Sequence, residues 1–198
     1  MRVIAGTYRS RKLQTLRGTA LRPSSDRLRE TLFNVLGPEV GESVFVDLFA
    51  GSGAVGIEAL SRGAREAIFV ESHPAGVALL RRNLESLGID VAGPRARKGF
   101  AGTAEILVLD VANALDRLIS RGTRAGIVFA DPPYADARAY ETVLDLLGES
   151  DLLVRNGVLI LEHARRNALP AVAGQLERTR ELEQGDSSLS FYHRVVAA

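Results

Sequence analysis

Two prolines that follow an acidic residue mark the segment of the chain with the clearest chemistry. The segment consists of Asp131, Pro132, Pro133 and Tyr134, and it directly follows the short apolar run 127–130. Neither proline can continue a helix, and each biases the residue before it towards extended geometry. The predicted ledge presents the Asp131 carboxylate and the Pro132 carbonyl as acceptors for an amino group, beside a flat ring for a planar base. The alternative is a strand-terminating turn with Tyr134 in the core.

A glycine-rich segment follows an earlier apolar run. Gly51, Gly53 and Gly56 match the pattern GxGxxG, and such glycines permit a tight turn and close approach of the backbone to a ligand. Glu71 stands twenty residues after Gly51 at the end of the next apolar run, where a carboxylate can hold ribose hydroxyls. The pattern suits a dinucleotide and a different adenosine cofactor equally.

Two further carboxylates end apolar runs and refine this prediction. Asp47 stands four residues before Gly51, where it would repel a pyrophosphate and attract a cationic ligand. S-adenosylmethionine fits that preference, because it carries an ammonium and a sulfonium and no phosphate. The alternative for Asp47 is that it only accepts backbone hydrogen bonds at a turn. Asp110 could bind an adenine amino group or cap the helix predicted to follow it, and the sequence leaves both open.

Apolar runs alternate with amphipathic segments through most of the chain. Strands are predicted at 44–49, 67–71, 106–109, 127–130 and 158–162, and helices at 54–61, 75–87, 112–121 and 140–147. Two amphipathic segments, 176–184 and 189–196, predict a terminal hairpin. Further upstream, the sequence predicts a capped helix that starts at Ser24, Ser25 or Asp26 and stops at Gly37-Pro38. A mobile loop is expected at 92–104.

This alternation predicts an α/β fold with a mostly parallel sheet and helices on both faces. In such sheets ligands bind beyond the carboxyl ends of the strands, where the strand order reverses. The candidate residues described above all follow strands, so they are expected to meet at one edge of the sheet.

Charge is distributed unevenly along the 198 residues. The whole chain has a net charge of +1, but residues 1–29 carry eight basic side chains against Asp26 alone. Residues 3–16 read as short strands around a turn, so a basic hairpin is predicted here. Such an arm suits a polyanion, and nucleic acid is the natural candidate. The alternative is a solvated arm with no partner.

Several classes of function are excluded or disfavoured by composition. The absence of cysteine excludes disulfides, zinc–thiolate sites, iron–sulfur clusters and a cysteine nucleophile. The three histidines, His73, His163 and His193, are dispersed without metal-ligand spacing, so no metal site is expected. No apolar run approaches the length of a membrane helix and no signal peptide is recognisable, which predicts a cytoplasmic protein.

The sequence resembles a known family in three places. Residues 47–53 and 131–134 resemble motifs I and IV of S-adenosylmethionine-dependent amino-methyltransferases. The run 21–34, LRPSSDRLRETLFN, with the preceding Arg11-Lys12-Leu13, is similar to the bacterial 16S rRNA (guanine(966)-N(2))-methyltransferase family. Two departures are the loop 92–104, which is longer than in the family, and Ser24-Ser25, where the family tends to have two threonines.

The resemblance implies a Rossmann-like class I methyltransferase domain over residues 21–198, preceded by a basic RNA-binding arm over residues 1–20. The domain is expected to hold a seven-stranded, mostly parallel sheet with an antiparallel C-terminal strand. The implied cofactor is S-adenosylmethionine, and the implied product is N2-methylguanine in 16S rRNA of an assembled or assembling small subunit. A monomer is expected.

The resemblance and the charge pattern together nominate three groups of residues. The cofactor-binding group is Asp47, Gly51, Ser52, Gly53, Glu71 and Asp110. The catalytic group is Asp131, Pro132, Pro133 and Tyr134. The RNA-binding group is Arg9, Arg11, Lys12, Arg22 and Arg27.

Three other functions are compatible with parts of the sequence. A DNA amino-methyltransferase acting on N6 of adenine or N4 of cytosine would use the same ledge, but no segment is long enough for a separate DNA-recognition domain. A nicotinamide-dependent dehydrogenase would account for GxGxxG and Glu71, but not for Asp47. A non-catalytic RNA-binding assembly factor would account for the basic arm alone.

Overall fold

The computed structural model describes residues 1–15, 26–91 and 102–195, and a single sheet dominates these ranges. The helices are α1 (Asp26–Leu36), α2 (Ala54–Ser61), α3 (Pro74–Leu87), α4 (Val111–Ser120) and α5 (Ala137–Gly148), with a 3₁₀ helix at Gly37–Val40. The strands are β1 (Val44–Asp47), β2 (Glu66–Val70), β3 (Thr103–Leu107), β4 (Ala125–Ala130), β5 (Leu153–Ala164), β6 (Val172–Ala173), β7 (Leu176–Gln184) and β8 (Ser187–Arg194).

The sheet has the order β3-β2-β1-β4-β5-β8-β7-β6. Strands β1 to β5 are parallel, whereas β8 is antiparallel to both β5 and β7. The chain runs outward from β1 through β2 to β3 and then returns to place β4 on the other side of β1. This reversal opens a crevice at the carboxyl ends of β1 and β4, which is where sheets of this type bind ligands.

The parallel strands in the middle of the sheet are apolar because helices cover both of its faces. All four residues of β1 are buried. Helices α4 and α5 pack on one face through Leu115, Leu118 and Val143, and α1, α2 and α3 cover the other. The predicted α/β class is therefore confirmed. No helix in the described ranges is long and apolar enough to cross a membrane.

The number of strands differs from the prediction. The sheet in the described ranges has eight strands rather than seven, because the two-residue strand β6 pairs with the start of β7. So short a strand has no alternating pattern that a sequence could reveal. The C-terminal hairpin of β7 and β8 is confirmed.

Most predicted elements are present, with shifted ends. Helix α2 has the predicted bounds. Strand β5 begins at Leu153 rather than 158, because the exposed residues 155 and 156 interrupt the apolar run that the prediction relied on. The predicted loop 92–104 extends too far, because Thr103 and Ala104 already belong to β3 and pair with β2. Residues 92–101 of this loop lie outside the described ranges. The proposed caps Ser24 and Ser25 also lie outside them.

The N-terminal segment, residues 1–15, folds back on itself without forming regular strands. A single antiparallel bridge joins Arg2 to Lys12, where two short strands were predicted. The segment packs on the body of the protein, since Val3 and Leu13 are buried among side chains of α2 and α3. Tertiary packing therefore holds the segment together with a few backbone hydrogen bonds between its two arms, such as that from the Val3 N–H to the Arg11 carbonyl oxygen at 3.0 Å. The division of the chain near residue 20 remains a prediction, because residues 16–25 are not described.

Buried polar side chains fix this segment to α2. The Glu58 carboxylate accepts hydrogen bonds from the backbone N–H groups of Ile4 and Ala5 at 2.7 and 3.0 Å. Gly6 has a φ of +78°, and a Cβ added there would lie 1.7 Å from the carbonyl oxygen of Ser61. Such contacts require glycine at this position and set the segment directly against α2.

Candidate active site

A cavity of about 490 Å³ opens at the carboxyl ends of β1, β2 and β4, where the strand order reverses. It falls within the roughly 300–1,000 Å³ typical of sites for small molecules and cofactors. Seven of the residues nominated from the sequence line it, namely Asp47, Gly51, Ser52, Glu71, Asp110, Asp131 and Pro133. Strand topology thus brings together side chains from four separate segments of the chain.

The glycine-rich turn after β1 shapes one wall of the cavity. Gly53 has a φ of +80° and stands at the start of α2, and a Cβ added there would lie 2.3 Å from Leu80 Cδ1. Gly53 is not among the lining residues, so its contribution is the shape of the turn. Gly51 and Ser52 face the cavity itself.

Glu71 is held rigidly at the end of β2. Its Oε2 accepts a hydrogen bond from the Gly51 N–H at 2.8 Å, and its Oε1 accepts one from the His73 N–H at 2.7 Å. Gly76 packs against it, since a Cβ there would come 2.7 Å from the Glu71 carboxyl carbon. A carboxylate fixed in this way at a strand end is suited to binding ribose hydroxyls.

Asp47 is a buried carboxyl group at the base of the cavity. Its side chain accepts a hydrogen bond from the Gly56 N–H at 3.1 Å, a contact with the backbone that the alternative interpretation expects, and the interaction of Asp47 with a cationic ligand stays a prediction. Burial is the largest of the causes that together raise the pKa of Asp47 to about 7; among the others, the hydrogen bond from the Gly56 N–H lowers this pKa and the nearby Glu71 raises it. Because Asp47 also lines the cavity, a cationic ligand there would favour its ionised form.

Asp110 caps helix α4. Its Oδ1 accepts a hydrogen bond from the Asn113 N–H at 2.9 Å, and its Oδ2 accepts one from Asn113 Nδ2 at 2.7 Å. These bonds lower the pKa of Asp110. The capping interpretation is confirmed, and since Asp110 also lines the cavity, a contact with adenine stays a prediction.

The ledge after β4 is divided between the cavity and the interior. Asp131 and Pro133 line the cavity, whereas Pro132 is buried and Tyr134 is half-buried. The Tyr134 hydroxyl lies 2.7 Å from Ser187 Oγ and donates to Glu162 Oε1 at 3.2 Å. Burial is the largest of several causes that raise the pKa of Tyr134 to about 12.

These contacts at Tyr134 were not foreseen from the sequence. Glu162 lies inside β5, the strand next to β4, and is only 4% exposed. It ends the strand that the sequence predicts at 158–162, so the strand-end rule could have found it. Asn167 adds a third contact, because its Nδ2 donates to the Tyr134 carbonyl oxygen at 3.0 Å. The aromatic residue of the ledge is therefore tied to the C-terminal hairpin.

Other cavity residues were also missed. Ser72, His73, Leu109, Val111 and Asp136 each lie near a nominated residue, so the same strand-end rule could have indicated them. Met1 and Thr15 line the cavity as well, and they come from the N-terminal segment. Nothing in the local sequence indicates that contact, because it depends on how the segment packs.

The nominated basic residues have different environments. Arg9, Arg11, Lys12 and Arg27 are exposed, and Arg22 lies outside the described ranges. Arg11 Nη2 donates to the Ser86 carbonyl oxygen at 2.6 Å, which places this cation beside the end of α3.

Arg29, which contributes to the positive charge of the first 29 residues, has a different role. Its side chain is fully buried and donates to the Arg2 carbonyl oxygen at 2.6 Å and to Asp26 Oδ1 at 2.9 Å. Part of the charge of the N-terminal region is therefore internal to the fold and does not face a partner.

The histidines make structural contacts. His73 Nδ1 accepts from the Ala75 N–H at the start of α3, the buried His163 bonds to Ser190, and His193 bonds to Thr179. Within the described ranges, no group of three or more His, Asp or Glu side chains is arranged to hold a metal ion.

Comparisons with known proteins identify the family of the chain. The chain matches the model of the family described as Conserved hypothetical protein 95 over residues 1–193. "Ribosomal RNA small subunit methyltransferase D" of Escherichia coli strain K12 is 36% identical over 194 residues, which cover 98% of this chain and 90% of that protein. Its namesake from Haemophilus influenzae is 36% identical over 162 residues, covering 82% and 78% of the two chains.

A solved structure supports the same relationship. The structure of yhhF from Escherichia coli is 35% identical, covers 98% of this chain and 97% of that one, and superposes with a TM-score of 0.79. Together these matches confirm the family resemblance that the sequence indicated.

We expect the buried Asp47 to make the stability of the ligand-free protein depend on pH. The pKa of Asp47 in the folded chain, about 7, is above its ordinary value of 3.8. The folded state therefore retains a proton that the unfolded state loses, and the free energy of unfolding falls as pH rises through this interval. The contribution of Asp47 to this fall is at most about 1.4 kcal/mol of unfolding free energy per pH unit.

Urea unfolding of the parent and of Asp47→Asn between pH 4 and pH 8 measures this effect. The amide cannot titrate, so the free-energy difference between the two proteins should shift in favour of the variant as pH rises. If the difference in unfolding free energy between the two proteins stays constant from pH 4 to pH 8, Asp47 is not the group that titrates.

Proposed function

The chain belongs to the family described as Conserved hypothetical protein 95, and we propose that it methylates ribosomal RNA of the small subunit. The reaction is transfer of a methyl group from S-adenosylmethionine to the exocyclic N2 amine of a guanine in 16S rRNA. The observation that carries the proposal is the Asp131–Tyr134 ledge after β4, of which Asp131 and Pro133 line a cofactor-sized cavity. The names of the curated relatives support ribosomal RNA as the substrate.

The residues around the cavity fit this cofactor. Glu71, fixed by two backbone N–H groups, would bind the ribose hydroxyls, and Asp110 would lie near the adenine. Asp47 would interact with the cationic methionine end and become ionised as it did so. Gly51 and Ser52 would bring the backbone close to the ligand. When bound, S-adenosylmethionine supplies a methyl group activated on a sulfonium.

The ledge would prepare the attacking nitrogen. The lone pair of the guanine amino group is delocalised into the ring, so the nitrogen is a poor nucleophile. Hydrogen bonds from this amino group to the Asp131 carboxylate and the Pro132 carbonyl would localise the lone pair and aim it at the methyl carbon. The same acceptors would stabilise the positive charge that develops on nitrogen in the transition state.

Bond changes in the proposed step are simple. A nitrogen–carbon bond forms as the sulfur–carbon bond breaks in line with it, and the nitrogen then loses one proton to Asp131 or to water. No covalent enzyme intermediate is needed, and the chain contains no cysteine for the thiolate route. Tyr134 would stack on a base flipped or splayed from the RNA, with its hydroxyl held by Glu162 and Ser187.

Removal of the Asp131 charge tests this mechanism. Asp131→Asn is expected to lower kcat for methyl transfer by about 10²- to 10³-fold, the usual effect of losing one transition-state contact, while cofactor affinity stays near the parent value. Asp145→Asn, a matched change of an exposed carboxylate on α5, serves as the control. Parent-like turnover by Asp131→Asn would rule out the ledge mechanism.

Removal of charge from the N-terminal segment tests its contact with RNA. Arg9→Gln and Lys12→Gln are each expected to weaken binding of a 16S rRNA fragment and to reduce the salt dependence of log K by about 0.7–0.9 per charge. Arg117→Gln, an exposed position on α4 across the sheet, is the matched control. Filter-binding titrations at several salt concentrations provide the slopes, and slopes equal to that of the parent would mean that the segment does not contact phosphates.

A further inference from the structure

Asn83 is a fully buried polar residue of α3 with an unusual set of partners. Its Oδ1 accepts from the Gln14 N–H at 2.9 Å, and its Nδ2 donates to the Gln14 carbonyl oxygen at 3.1 Å. The same Nδ2 donates to the carbonyl oxygen of Ser52 at 2.8 Å. One side chain therefore holds both backbone groups of a residue in the N-terminal segment and a backbone group of the glycine-rich turn.

The N-terminal segment has two functional surfaces. Met1 and Thr15, at its two ends, line the cavity, and the exposed cations Arg9 and Lys12 lie between them. Thr15 directly follows Gln14, the residue that Asn83 holds. Any shift of the segment would therefore move a wall of the cavity together with the cations.

We propose that Asn83 is a positioning residue that couples binding of rRNA at the N-terminal segment to binding of cofactor in the cavity. The coupling part of this inference rests on the proposed function, and the positioning of Ser52 and Thr15 does not. Asn83 contacts neither ligand in this scheme, because it acts through the backbone of Gln14 and Ser52.

The coupling arises because both ligands require the N-terminal segment to lie in the position seen here, in which Asn83 holds Gln14. We call this the seated position. RNA bound to Arg9 and Lys12 favours the seated segment, and a seated segment completes the cavity with Thr15. A ligand shifts such an equilibrium by its difference in affinity for the two positions. Coupling is reciprocal, so cofactor must strengthen RNA binding by the same factor by which RNA strengthens cofactor binding.

Buried hydrogen bonds make Asn83 effective in this role. Each polar group left unpaired in the interior is costly, so the seated position is favoured only while all three bonds are present. Asn83→Asp keeps the shape of the side chain and removes both N–H donors. Gln14→Pro removes the Gln14 N–H without replacing any buried side chain, and Gln14→Ala, which keeps that N–H, is its matched control.

Calorimetric titration of the full chain with S-adenosylhomocysteine, with and without a 16S rRNA fragment, tests the proposal. In the parent, RNA is expected to lower the Kd of S-adenosylhomocysteine about fivefold or more, and S-adenosylhomocysteine to lower the Kd of RNA equally. In Asn83→Asp and Gln14→Pro this factor should fall to about one, and in Asn83→Asp the Kd of S-adenosylhomocysteine alone should rise about tenfold. Gln14→Ala should retain the coupling of the parent.

The outcomes separate this inference from the proposed function. Parent-like coupling in Gln14→Pro or Asn83→Asp would overturn the role of Asn83, and so would a parent that methylates rRNA without coupling. Gln14→Pro decides the question if Asn83→Asp fails to fold. A parent that binds the cofactor but neither binds nor methylates rRNA would refute the proposed function, and the coupling with it.

Discussion

The parallel pairing of β1 with β4 is the contact on which the rest of the site depends. Asp47 lies opposite Phe129 in this pairing, and the Leu48 N–H continues it by donating to the Phe129 carbonyl oxygen at 2.9 Å. The register brings Asp47 and Asp131 to one edge of the sheet, although they are far apart in the chain. A slip of one residue would turn every side chain of the strand to the opposite face, so burial on both faces of the sheet fixes the geometry of the site.

Buried polar contacts extend this rigidity to the N-terminal segment. Glu58 and Asn83 are fully buried, and each satisfies backbone groups of the segment, which local sequence alone would not hold in place. A basic segment that the sequence presents as an arm is consequently part of the cavity wall. The proposed substrate-binding and cofactor-binding surfaces thus share one structural element.

Sequence reasoning succeeded where a local pattern determines the structure. The elements from β1 to α5, the glycine turn at 51–53 and the ledge at 131–134 each follow from the residues that form them, and strand-end positions predicted that Asp47, Glu71 and Asp131 would meet. It failed where long-range packing decides. The contacts of Tyr134 with Glu162 and Ser187, the burial of Arg29, and the presence of Met1 and Thr15 in the cavity depend on partners distant in the chain.

The ledge and the cavity are together proposed to methylate N2 of guanine in rRNA. The most direct test supplies S-adenosylmethionine labelled in the methyl group to small ribosomal subunits, naked 16S rRNA and duplex DNA in parallel, followed by nucleoside analysis. We expect label in N2-methylguanosine from an rRNA substrate and none in DNA. Label in N6-methyladenine from DNA, or no label from any substrate, would contradict this proposal.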